Sequence, residues 1–219
     1  MKTVSLTLLH EFLTSKGYEV DGSLAAQESA RELAALIRET LDPTGDNRNI
    51  HDALKSLTNE GVNDHLDQSR SPLISLFANV DGDFNLGTGI RNANWFNQEE
   101  VHICGRRRWD RRGAVGTHNY TPVSYHPSLL DSLNALREND YKIVAAEITE
   151  DAVPLHTYTW AERSAIIFGE EGTGIPREVL DLCDDIVYIP GRGSVRSLNV
   201  GTTSGIFSYD YHAKMGLLD

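Results

Sequence analysis

Cysteine is nearly missing from this 219-residue chain, with only Cys104 and Cys183. Two isolated thiols make neither a disulfide framework nor a zinc-binding pattern. They are expected as reduced thiols in a cytoplasmic protein. Eight histidines are present, but at spacings that form no metal motif, so no metal is expected. Long apolar runs are also absent. None approaches the roughly 18–20 residues of a membrane span, so no membrane partner is expected. The short apolar segment at the N-terminus is interrupted by Glu11 and Lys16, unlike a secretion signal. Positive charge is scarce: 20 Lys and Arg oppose 32 Asp and Glu, a net charge of −12. Such a surface does not coat nucleic acid, and an anionic partner must find a concentrated basic region.

What is present suffices for one domain with a small addition: 40% of residues are apolar. Residues 1–70 read as a polar, helical N-terminal extension. Val4, Leu8, Leu9 and Phe12 have approximate helical spacing. Leu24 to Leu41 carries a Leu33, Leu36, Ile37, Leu41 face and stops at Asp42-Pro43-Thr44-Gly45. A weaker helix candidate spans Ile50 to Leu57.

The texture changes at Pro72. Apolar runs suited to buried strands occur at Leu73–Val80, Val101–Cys104, Tyr141–Ile148, Ser164–Phe168 and Ile186–Ile189. Helices are expected after the glycines at 82–89, where Ile90, Ala93, Trp95 and Phe96 supply apolar contacts. Others are expected at Pro127–Arg137, from near Pro176, and at Thr202–Tyr211. Short apolar strands alternating with helices predict an α/β domain over 71–219, with a mainly parallel sheet flanked by helices.

Three loops follow strands, where open α/β sheets commonly bind ligands. The first, NVDGDFNLGTGIRN from Asn79, contains Gly87 and Gly89 without the full dinucleotide-loop spacing. Asn85 offers a donor and an acceptor. Arg91 is either a helix residue paired with a carboxylate or a charged fork for phosphate or catalysis. The second, FGEEGTGI at 168–175, lacks the Gly-Lys-Ser/Thr ending of a phosphate loop. Its glutamates are open to reading as solvated turn residues. The third, IPGRGSVRSLNV at 189–200, has glycines that let backbone approach a ligand. Arg192 and Arg196 can contact phosphate there, while Ser197 and Asn199 offer polar groups around Leu198. A fourth stretch, Gly105 to Gly116, holds five arginines within seven residues: Arg106, Arg107, Arg108, Arg111 and Arg112, with Trp109 among them. It is either an RNA contact, with forks for phosphates and an indole for a base, or a solvated loop paired with acids.

Taken together, Asn79…Asn85…Arg91, FGEEGTGI and IPGRGSVRSLNV resemble, in order and separation, the SpoU branch of the SPOUT superfamily, the TrmH-like RNA ribose 2′-O-methyltransferases. The resemblance covers about residues 72–213. It implies an α/β fold with a C-terminal deep trefoil knot, a homodimer, and S-adenosylmethionine as methyl donor. It implies a cofactor site of Phe168, Gly169, Glu171, Gly172, Ile189, Pro190, Ser197, Leu198 and Asn199. It assigns catalysis to Arg91, Asn85, Glu171, Ser197 and Asn199, with Arg91 linked to activation of the ribose hydroxyl. The first motif departs from the family in reading DGDFN before the second half of its pattern, and residues 1–70 match no familiar RNA-binding extension. The implied activity is methylation of an RNA ribose, with tRNA as the expected substrate and ribosomal RNA as the alternative. A non-catalytic RNA-binding or assembly protein on the same scaffold is the reading from a different class.

Overall fold

The computed structural model describes residues 48–78, 83–105, 109–170 and 172–218. The helix candidates before residue 48 lie outside the described residues, as do Asn79, Arg106, Arg107, Arg108 and Glu171. Chain contacts divide the protein into two units, Met1–Ser69 and Arg70–Asp219.

In the first unit, the expected helix at 50–57 is only a 3-10 turn, Asp52–Leu54. The α-helix follows it as α1, Asn59–Asp67. Thr58 sets the start: its hydroxyl accepts from the Gly61 N–H at 3.2 Å, satisfying one of the orphan donors of a first helical turn.

In the second unit, seven strands form one sheet: β1 Ser71–Ala78, β2 Gln98–Cys104, β3 Val123–His126, β4 Lys142–Ala146, β5 Val153–Pro154, β6 Ser164–Phe168 and β7 Asp185–Tyr188. Their spatial order is β3-β2-β1-β6-β4-β7-β5, and every described strand pair is parallel. The helices are α2 Asp83–Trp95, α3 Leu129–Glu138, α4 Arg177–Leu180 and α5 Val200–Lys214.

Successive side chains of a strand face opposite sides, and the two resulting faces carry separate cores. Leu73, Phe77, Val144, Ile166 and Phe168 join Ile90 of α2 and Phe207 and Tyr211 of α5. Ile74, Leu76, Ile143, Ala145 and Ile167 join Leu133 and Leu136 of α3 and Leu180 of α4. The central strands are therefore covered on both sides, which explains their nearly continuous apolar sequence.

Four expectations change. Strand β4 ends at Ala146 rather than Ile148, which frees Glu147 and Ile148 for the loop beyond it. The helix near Pro176 is a single turn. The closing helix is longer than expected at both ends. Trp95 is not a core contact: it is 82% exposed on α2, while Ile90 and Ala93 of the same helix are buried. The reason is helical geometry. Trp95 stands five residues beyond Ile90 and two beyond Ala93, on another side of the cylinder.

Candidate active site

Strands β6, β4 and β7 are neighbours, and their carboxyl ends open into one pocket of about 660 Å³, its mouth included. Its floor comes from the strand ends: Ala146, Glu147 and Ile148 after β4, Phe168 to Glu170 after β6, and Val187 to Ile189 at β7. Ser197 and Leu198 form one wall, and Val200, Thr203 and Phe207 of α5 cover it.

The loop after β6 is folded back on itself. The Gly174 N–H donates to the Glu170 carbonyl at 2.8 Å, closing an isolated antiparallel bridge. Gly174 has φ +68°, in the left-handed region that favours glycine. A β-carbon at Gly169 would lie 2.7 Å from the Gly174 backbone, so the close approach also requires glycine there. The Glu147 carboxylate locks the arrangement from β4. It accepts from the Ile175 N–H at 3.1 Å and from the Ile148 N–H at 2.8 Å.

The loop after β7 runs exposed from 190 to 199 and ends at Asn199, the N-cap of α5. The Asn199 carboxamide is shared between two tasks. Its oxygen accepts from the Thr202 N–H at 3.1 Å, and its amide donates to the Asn85 side-chain oxygen of α2 at 2.7 Å. One face of α2 repeats this contact a turn or two further on. Asn85 and Asn92 are seven residues apart and share a helical face. The Asn92 amide donates to the Gly201 carbonyl at 2.8 Å and to the Ser204 hydroxyl at 2.9 Å. Arg91 stands beside that face, on α2, with its side chain exposed.

Of the residues named from sequence, Phe168, Gly169, Ile189, Ser197 and Leu198 line the pocket, and Asn85 meets Asn199. Gly172, Pro190 and Asn199 are not among the lining residues. Arg192 and Arg196 are exposed on the loop after β7. Glu147, Thr203 and Phe207 were missed. Glu147 carried a usable signal, a lone acid ending an apolar run, but it was read as inside a strand. Thr203 and Phe207 gave no signal apart from belonging to a helix whose start was placed two residues late.

The arginine-rich stretch is built on α2. Trp109 is half-buried, donates its indole N–H to the Tyr125 hydroxyl at 3.1 Å, and meets the His118 ring edge-on. Asp110 caps the 3-10 turn Arg111–Ala114 and holds Arg112, whose Nε lies 2.8 Å from a carboxylate oxygen. Hydrogen bonding from Arg112 pulls the Asp110 carboxyl below its usual range. Arg112 also lies over the ring of Phe84, which is 60% exposed. Arg111 and Arg112 both face solvent.

A second polar cluster sits at the β2–β3 edge. His102 bonds Ser132 at 2.7 Å and Glu100 at 3.1 Å, a serine–histidine–acid arrangement. Ser132 has no exposed surface, so no substrate reaches it and the cluster is structural. Among the described residues, no group of three or more metal-ligating side chains could hold an ion, and no helix is long and apolar enough to cross a membrane.

Comparison with known proteins places this geometry among relatives. Residues 72–209 match the SpoU rRNA Methylase family. A tRNA (guanosine(18)-2′-O)-methyltransferase of Escherichia coli K12 is 30% identical over 129 residues, 58% of this chain and 56% of that protein. The chain thus matches little more than half of that relative's length. The 23S rRNA (guanosine-2′-O-)-methyltransferase RlmB of Vibrio parahaemolyticus is 28% identical over 188 residues, 80% of this chain and 75% of that one. The crystal structure of the A. aeolicus TrmH/SpoU tRNA modifying enzyme shares the fold at a TM-score of 0.66 and 18% identity, covering 72% of this chain and 82% of the other.

Proposed function

The chain belongs to the SpoU rRNA methylase family of TrmH-like proteins, and on that premise we propose that it methylates a ribose 2′-hydroxyl of RNA, using S-adenosylmethionine. The observation that carries this reading is the convergence of separate motifs: the loops after β6 and β7 share one pocket, and the Asn85–Asn199 bond ties α2 to it.

The pocket's chemistry fits that cofactor. Phe168, Val187, Ile189 and Phe207 offer apolar contacts, Ser197 and Thr203 offer hydroxyls, and the glycine-rich backbone offers amides and carbonyls. Leu198 lines the pocket yet is 43% exposed, an apolar surface with contacts still to make. When bound, the cofactor supplies an electrophilic methyl carbon. The chain's own residues then orient the ribose oxygen toward it, which converts two reactants into a near-attack pair. Asn85 and Asn199 hold one another and fix the approach of α2. Arg91 pairs with the RNA phosphate; to accept the hydroxyl proton its guanidinium must first give up a proton of its own, a cost the site has to lower, and without that step its role is electrostatic. Ser197 adds a hydroxyl at the pocket wall, and Glu171 is the further catalytic residue that the family resemblance assigns.

tRNA is the substrate we favour, on the strength of the relatives named as tRNA (guanosine(18)-2′-O)-methyltransferases in Escherichia coli and Thermus thermophilus. RlmB supports ribosomal RNA as the alternative. Labelled methyl transfer from S-adenosylmethionine into total RNA, followed by nucleoside mapping, should yield a 2′-O-methyl nucleoside in tRNA. Label only in ribosomal RNA selects the alternative, and none across varied RNA pools overturns the assignment. Arg91→Lys should cut turnover by about 100-fold or more with cofactor affinity little changed, because the planar fork is lost and the charge kept. Near-normal turnover would remove Arg91 from the reaction.

The same reading includes a 71–219 catalytic domain, an N-terminal extension, a C-terminal knot and a homodimer. The knot is supported by late strands entering between earlier ones: β6 between β1 and β4, β7 between β4 and β5. The dimer is supported by large apolar side chains exposed on α2 and α5, Trp95 at 82% and Tyr209 at 58%. Trp95→Glu should produce monomers in light scattering.

A further inference from the structure

The pocket carries negative charge, with no positive counterpart among the described lining residues. Glu147 and Glu170 both line it, and none of the described lining residues is Lys, Arg or His. Carboxylates facing a partly enclosed, largely apolar cavity are costly unless something cationic answers them. Glu170 is turned onto its own loop, with one oxygen accepting from the Thr173 hydroxyl at 2.7 Å. Glu147 is held more tightly. Its backbone N–H donates to Val187 of β7 at 3.1 Å, and its carboxylate accepts from two backbone N–H groups on different segments. A β-carbon at Gly174 would lie 2.6 Å from Oε2 of Glu147, so the missing side chain at 174 makes the room this carboxylate occupies. A carboxylate has roughly four acceptor positions, and two are used by backbone. The two backbone bonds thus hold the carboxylate, half-buried, at the pocket wall.

We propose that Glu147 is a selectivity residue, biasing the pocket toward the cationic sulfonium donor and against the neutral thioether left after methyl transfer. The inference rests on the reading of this pocket as the S-adenosylmethionine site. Methyl transfer removes the positive charge from the sulfur. A fixed carboxylate that attracts the donor loses that attraction for the product, so the pocket's field favours exchange of spent cofactor for fresh. Coulombic attraction across a pocket of this size, damped by the surrounding protein and water, corresponds to about a three- to tenfold change in affinity.

The test is titration calorimetry on the full chain with three ligands: S-adenosylmethionine, S-adenosylhomocysteine, and sinefungin, which carries a protonated amine in place of the sulfonium. In Glu147→Gln, the two cationic ligands should weaken about three- to tenfold while S-adenosylhomocysteine changes less than about twofold. Equal weakening of all three would overturn the inference, since a residue that merely braces the loop affects every ligand alike; the cofactor-site reading would survive. Failure of the unaltered protein to bind any of the three would overturn the site reading and the inference with it. Should the variant not fold, the unaltered protein provides a second measurement. Raising salt should weaken S-adenosylmethionine more steeply than S-adenosylhomocysteine, and parallel slopes would overturn the inference.

Discussion

Gly87 and Gly89, which look like fragments of a nucleotide loop in sequence, are packing residues inside α2. A β-carbon on Gly87 would lie 2.7 Å from the Gly113 and Ala114 backbone, and one on Gly89 would collide with the Phe77 ring. Glycine costs a helix about 1 kcal/mol relative to alanine, so alanine should stabilise α2 unless space forbids it. Here space forbids it. Gly89→Ala should destabilise the protein by about 1–3 kcal/mol in a denaturant melt, the usual range for overpacking a core. Gly87→Ala should act elsewhere, lifting the arginine-bearing turn off α2. We expect weaker RNA binding, with a shallower salt dependence, and unchanged cofactor affinity; unchanged RNA binding would mean that this turn is not an RNA contact. Neither role was legible in the sequence, because each depends on a partner more than ten residues away.

At the level of elements, legibility followed burial. The central strands β1, β4 and β6 were found because both faces are covered and the sequence is apolar almost throughout. The edge strands β3 and β5 were missed. Only one side of each pairs in the sheet, β3 alternates Tyr125 and His126, and β5 is two residues ending in a proline. Helix α5 is expected to start late because Gly201 to Gly205 are small or polar, ahead of the core side chains Phe207 and Tyr211. It joins the sheet through a buried chain of hydrogen bonds. The Ser75 hydroxyl donates to Gln98 at 2.7 Å, the Gln98 amide donates to the Ser208 hydroxyl at 2.8 Å, and His212 bonds the Ser71 hydroxyl at 2.8 Å. Gln98 is fully buried. Gln98→Ala should cost about 1–3 kcal/mol in chemical unfolding, because partners on both sides lose their hydrogen bonds within the core. Asn199→Ala should cost about 1 kcal/mol through the lost cap, and turnover as well if its bond to Asn85 orders the site.

For the whole Arg70–Asp219 unit, one buried histidine and two half-buried ones contribute to the response to acid. Burial lowers the pKa of His212; burial and then His102 lower that of His126; burial and then Arg111 lower that of His118. Each folded value lies below the ordinary value of about 6.5, so below that pH the unfolded chain binds protons that the folded one refuses. Their contribution is complete above about pH 6.5 and declines as pH falls. Glu100 adds a later loss: although burial opposes it, hydrogen bonds from His102 and Ser124 hold its carboxyl below the usual value, so its contribution fades under about pH 4.5. The melting temperature should fall between pH 7.5 and 5.5, and a flat profile would contradict these burial effects. Strand order, the other property of the whole unit, left no trace in local pattern, since parallel partners are chosen by tertiary contact.

That order also has a consequence in time. The neighbours of β4 are β6 and β7, and the neighbour of β5 is β7. Both waiting strands leave the ribosome before anything they can pair with, while β1, β2 and β3 pair among themselves as they emerge. The half of the sheet that forms the pocket must therefore wait for β6 and β7, and its join to β1 pairs residues as far apart as Leu73 and Ser164, a contact distant in sequence and slow to close.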